Sequence, residues 1–305
     1  MTTSIYIILT IYLFIYGFLV GKYKLFPYTL MSSLIDSLKQ ILKSKPKALI
    51  LQGYSDTSHK IEVDCSSIER DKTMVILAYG QGNAANGGEG KYTPKHNVYN
   101  VFLGKCYKAD DPLLGATDDK GSVWGRFADK VIESGMYENV IIKSIGVGGS
   151  PIICWTVNGT GIGYEGRQYG NYHSRILESY EELKSLGFST THILWHQGES
   201  DMKNGTTTAE YKERFLDMLN SMRKNGINAP IYVALASRYG RQTSKEVIDA
   251  QKQLTEEYDD IFEGPNTDII DRLEERTEDG QRFTEIGLEK HANAWIEALK
   301  SYDNH

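Results

Sequence analysis

Apolar residues along this chain fall into two patterns. From Met1 to Gly21 no side chain is charged, and Ile5 to Val20 is almost wholly apolar with three tyrosines. A helix of that length approaches the roughly 30 Å hydrocarbon core of a bilayer, and a core helix would show the polar face that this run lacks. Residues 1–21 are therefore expected to form a membrane anchor. No Lys or Arg precedes the run and no small-residue cleavage site follows it, which argues against a removable signal peptide. In residues 22–47, Leu30, Leu34, Leu38, Ile41 and Leu42 recur at helical spacing, a pattern for a juxtamembrane helix or linker.

From residue 48 onward short apolar runs alternate with helical ones. Ala48–Gln52 and Ile61–Asp64 read as peripheral strands. Thr73–Tyr79, Val140–Gly146, Thr191–Trp195, Ile231–Ala236 and Asp268–Ile270 read as buried ones. Helices are expected over 126–133, 172–186, 208–225, 244–257 and 284–301. Near-continuous apolar strands separated by helices predict an α/β fold of three layers, a parallel sheet of about five strands covered on both faces. Residues 48–305 then form one domain. In such sheets ligands bind beyond the carboxyl ends of the strands. Three strands run there into polar, glycine-rich loops: Gly80–Gly88, Gly146–Ser150 and His196–Asp201. One such loop is an ordinary tight turn; three on one edge mark a site.

Composition narrows the function. Lys and Arg total 34 against 40 Asp and Glu, for a net charge of -6, and no basic stripe supports a nucleic-acid partner. Lys22, Lys24, Lys39, Lys43, Lys45 and Lys47 follow the apolar run and lean toward a cytoplasmic domain. Cys65, Cys106 and Cys154 fit three free thiols or one disulfide. Asn158-Gly-Thr and Asn204-Gly-Thr match the glycosylation pattern, which is common by chance. No HExxH, CxxC or EF-hand spacing occurs, so no metal or other cofactor is expected.

The loops carry a resemblance. Gly80-Gln81-x-Asn83, Gly148-Gly149-Ser150 and Trp195-His-Gln-Gly-Glu-Ser-Asp201 resemble the SGNH hydrolase superfamily, and within it the sialate O-acetylesterase-like carbohydrate esterases. Asp110–Thr117, Gly121–Trp124, Gly264–Asp268 and Asp279–Leu288 extend the likeness over about residues 70–300. The resemblance implies a flavodoxin-like fold and serine ester hydrolysis of an acylated glycan. A serine in the first loop attacks, a histidine in the last takes its proton, and an aspartate three residues earlier orients it. Backbone N–H groups and a side chain of the third loop hold the oxyanion. It assigns the oxyanion and substrate contacts to Gly82, Gly149, Gln197, Gln81, Asn83 and Glu199.

Two positions depart from that pattern. The nucleophile's place is held by Gly82, and the base's place by Arg282, which stays protonated and accepts no proton. Asp279 is retained with no imidazole to orient. The chain is thus expected to be an impaired esterase that binds acylated or acidic glycan. The alternatives are an esterase with relocated residues and a scaffold in polysaccharide assembly. Relocation would draw on the hydroxyls of Ser150, Ser200 or Tyr79 and on His196, Glu199, Asp201, His96, His173 or His291 as bases. His192, inside a strand, reads as a packed core residue. Arg282 either fills the hole left by the imidazole as a salt-bridge partner or grips an anionic sugar in a fork. Trp124, Trp155 and Tyr164 are candidate faces for sugar rings.

Overall fold

The computed structural model describes residues 53–162 and 168–303, together with Tyr16 and Lys22. The chain divides into Met1–Ala48 and Leu49–His305. In the first unit only Tyr16 and Lys22 are described, both helical, and the sheet with all its helices belongs to the second. Among the described residues no helix is long and apolar enough to cross a membrane. The apolar run at 5–20, the juxtamembrane helix and the strand expected at 48–52 lie outside the described residues, apart from Tyr16 and Lys22.

The second unit is built on an eight-stranded sheet in the order β1-β4-β3-β5-β2-β8-β9-β10. Its centre is β2 (Thr73–Gly80), buried at every residue, as an apolar strand covered on both faces must be. β5 (Asn139–Ser144) and β8 (His192–His196) flank it in parallel register. β3 (Val98–Phe102) extends one side, and β9 (Ile231–Leu235) and β10 (Ile261–Asn266) the other, making six parallel strands. β4 (Lys105–Lys108) and β1 (Glu62–Val63) close one edge antiparallel. A separate small ribbon pairs β6 (Gly161–Ile162) with β7 (Gln168–Tyr169).

Alternation along the strands sorts the core. Met74, Ile76 and Ala78 face α1 (Val123–Glu133) and α6 (Glu285–Asp303). Leu77, Tyr79, Ile193 and Trp195 face the other layer, where α2 (His173–Ser185), α4 (Thr208–Lys224) and α5 (Lys245–Glu257) lie. A disulfide joins Cys65 to Cys106, tying the segment after β1 to β4, while Cys154 is a free, buried thiol.

The last strand is residues 261–266 and not 268–270. Gly264-Pro265 reads as a turn, but β10 is an edge strand, where a proline costs no ladder bond on its open side. Residues 199–204, taken as loop, form the short helix α3 (Glu199–Asn204).

Candidate active site

β2, β5 and β8 are neighbours and parallel, with Gly80 paired to His196 and Ala78 to Ser144. Their carboxyl ends therefore deliver the three glycine-rich loops to one place. Between these loops lies a cleft of about 190 Å3, lined by Gln81, Gly149, Glu199, Ser200 and Arg282, with Asp118, Gly148, Tyr169, Tyr239 and Gln281.

Gly82 begins a short 3-10 turn, Gly82–Ala84, directly after β2. Its φ lies outside the left-handed region, so its backbone would accept another residue. Space decides instead. A Cβ at position 82 would stand 1.4 Å from Arg282 Nη1 and 1.9 Å from its Cζ. The guanidinium fills the space that a side chain at position 82 would occupy. Gly149 differs, because its φ of +77° favours glycine and its vacant side meets the Tyr169 hydroxyl, 2.2 Å from an added Cβ.

Arg282 is held by its backbone. Its N–H donates to Thr277 Oγ1 at 3.0 Å and its carbonyl accepts from Thr277 N at 2.9 Å. Its nearest acid is Asp118, with Nη2 to Oδ2 at 3.9 Å, and the two side chains are 26% and 40% exposed. Asp279 does not engage it by hydrogen bonding. Asp279 accepts from Thr277 Oγ1 at 2.5 Å and from Gln281 N at 3.0 Å, closing its own turn. Burial tends to raise its pKa, but those bonds and the charges of Arg282 and Lys120 hold it below the usual value. Asp279 lines a second, larger cleft of about 450 Å3, beyond a close approach of Gly280 to Gly240.

The family-assigned binding residues divide into two groups. Gln81 ties the first loop to the third: its Oε1 accepts from Gln197 Nε2 at 3.2 Å and Ser200 N at 3.1 Å. Asn83 Nδ2 donates to Glu199 Oε1 at 2.8 Å and to Gln281 O at 3.1 Å. Glu199 is buried yet borders the cleft, with Oε2 lacking a partner among the described residues. Burial pushes its pKa up, but the His196 contact at 3.5 Å and the Asn83 bond leave it below normal. Gln197 departs from expectation. It is fully buried, its Nε2 donating to Asp201 Oδ2 at 2.5 Å and its Oε1 accepting from Tyr211 OH at 3.0 Å. A side chain satisfied on both ends inside the core offers the cleft nothing.

The relocated pairs do not form. Ser150 Oγ donates to Val147 O at 2.9 Å and accepts from Trp155 Nε1 at 3.0 Å, inside the core. Ser200 Oγ donates to Gly149 O at 2.8 Å. Tyr79 is fully buried against Trp155 and Trp195, and its pKa is driven up by that burial. His196 Nδ1 lies 3.1 Å from His291 Nε2, which also accepts from Trp295 Nε1 at 2.9 Å. His173 is buried, with Trp155 O and Ser221 Oγ at 3.0 and 2.8 Å. Asp201 accepts from Ile152 N, and burial raises its pKa. His96 lies outside the cleft, 3.4 Å from Glu133. His192 is a packed core residue, as its strand position implies. Trp124 and Trp155 are fully buried and present no face to a sugar, while Tyr164 lies outside the described residues. Among the described residues no group of three or more His, Cys, Asp or Glu side chains is arranged to hold a metal ion.

Four lining residues, Asp118, Tyr169, Tyr239 and Gln281, were not singled out by sequence reasoning. Asp118 directly follows the Asp110–Thr117 motif and could have been found there. Tyr169 sits on the two-residue strand β7 and Tyr239 on the loop after β9, neither of which carries a local signal.

An α/β sheet whose three carboxyl-end loops converge in this way has the architecture of the doubly wound folds that bind ligands at that edge. The model of the carbohydrate esterase family described as sialic acid-specific acetylesterase matches residues 72–286, and the chain belongs to that family. Among solved structures, a protein of Arabidopsis thaliana is similar at a TM-score of 0.57 and 16% identity, over 76% of this chain and 98% of that one. NanS is similar at a TM-score of 0.50 and 12% identity, over 78% of this chain and 100% of that one. At these identities the likeness is one of fold. A sequence search of curated proteins finds no match.

Proposed function

We propose that this chain binds a glycan in the cleft between Gly149, Glu199 and Arg282 and does not cleave esters there. One observation carries the reading: the Arg282 guanidinium occupies the nucleophile's seat beside Gly82. A guanidinium neither attacks an acyl carbon nor takes a proton. The polar lining supports a hydroxyl-rich ligand, and the family supports a carbohydrate. The volume is small against the roughly 300–1,000 Å3 of drug-sized sites, which suits one sugar unit.

The test is an acetyl-ester assay on the purified full chain, beside calorimetric titration with sugars. Expected are binding and no more than trace hydrolysis. Triad knockouts retain roughly 10³–10⁴-fold over water from the oxyanion hole alone. Turnover well above that level, abolished by Ser200→Ala, would overturn the reading.

The apolar run at 5–20 supports a membrane-anchored domain. The Cys65–Cys106 disulfide supports placing that domain on an oxidising side, against the lysine bias. Labelling of cysteines with an impermeant maleimide, before and after reduction in intact cells, tests this. Reduced, protected thiols would place the domain in the cytoplasm.

A further inference from the structure

We propose that the group this cleft recognises is a carboxylate, held by Arg282 and the Gly149 N–H, so that the ligand is an acidic sugar of the uronic type. The inference rests on the glycan-binding reading and names the recognition chemistry of the same site.

In a hydrolase, the N–H groups of the first two loops face a carbonyl oxygen that becomes anionic only during reaction. Here the N–H groups of Gly82 and Gly149 make no hydrogen bond among the described residues. The Arg282 guanidinium, three-quarters buried, makes none either, and Asp118 at 3.9 Å lies beyond hydrogen-bond reach. A fixed cation on the cleft wall, with its donors free of protein hydrogen bonds, is set to receive an anion. A carboxylate meets it with two acceptor oxygens in the geometry of the fork, which a neutral ester carbonyl cannot supply. A hole shaped for a transient anion then holds a permanent one.

The acids nearby set the ligand's other features. Glu199 borders the same cleft and sets a carboxylate beside the bound sugar. Asp118 and Glu199 together oppose a multiply charged anion such as phosphate. A single carboxylate on a polyol satisfies both demands.

The test is isothermal titration of the full chain with D-glucuronate and with its methyl ester, at low and high salt. Glucuronate is expected to bind at least ten-fold tighter than the ester, less so in 0.5 M salt, and Arg282→Gln is expected to erase the difference. Asp118→Asn, on a half-exposed side chain, removes the competing carboxylate and is expected to tighten glucuronate several-fold. That variant tests the idea even where Arg282→Gln fails to fold. Equal binding of acid and ester, or a preference that survives Arg282→Gln, would overturn the carboxylate assignment and leave glycan binding standing. Absence of binding by both sugars at millimolar concentration would overturn both readings.

Discussion

At the scale of single residues, Gly82 and Arg282 share one space. Changing either alone would be awkward. A serine at 82 collides with the guanidinium, and a histidine at 282 with glycine at 82 has nothing to activate. The collision involves the far end of a flexible side chain, so Gly82→Ser should fold with Arg282 displaced into the cleft. An imidazole at 282 is shorter than the arginine and leaves room for an Oγ. Gly82→Ser with Arg282→His is therefore expected to give esterase activity. Its kcat/KM should exceed that of either single variant by roughly 10²-fold or more, the contribution of a positioned general base. A double variant that folds but stays as inert as the singles would show that divergence extends past these two positions. Both positions were legible in the sequence, because the flanking motifs single them out. The occupation of one residue's space by the other was not, since 200 positions separate them (282 − 82).

At the scale of elements, β8 carries buried titratable side chains on a central strand. His192 stacks on Tyr232 of β9, and burial lowers its pKa to about 4. The unfolded chain takes up that proton near pH 6.5, well before the folded one. Stability contributed above pH 6.5 is therefore lost as pH falls toward 4, by about 3 kcal/mol for a shift of this size. Asp111 acts oppositely: burial raises its pKa to about 7, so the folded state gains stability as pH falls through 7. His192→Phe keeps the stacking and removes only the histidine's contribution. Denaturant unfolding at pH 7 and pH 4 should show this variant less acid-sensitive than the parent by about 3 kcal/mol. Identical pH dependence in both proteins would refute the assignment. The helices and central strands were legible because their apolar periodicity reflects burial. β10 and α3 were not: Gly264-Pro265 and the glycine-flanked run 198–205 carry turn signals, and only pairing with β9 and the closure of the third loop override them.

At the scale of the whole molecule, the Cys65–Cys106 link spans 41 residues. By loop entropy it stabilises the fold by about 4 kcal/mol. Cys65→Ser with Cys106→Ser is expected to lower the denaturant midpoint by a corresponding amount, and reductant should do the same to the parent but not to the variant. An unchanged midpoint would argue that the bond is absent in solution. The bond secures β1, the edge strand nearest to the amino-terminal unit in sequence, to the main sheet.

The amino-acid sequence by itself determined the α/β alternation, the three loops at the strand ends and the presence of Gly82 and Arg282 within their motifs, because each is written in local pattern. Tertiary structure alone decided how those residues meet. Parallel pairing of β2, β5 and β8 brings distant loops together. It turns Gln197 inward to Asp201 and leaves Glu199 bordering the cleft, while the turn closed by Thr277 and Arg282 lays the Arg282 guanidinium over Gly82. Side-chain direction and shared space between remote positions are properties of packing, and no local pattern records them.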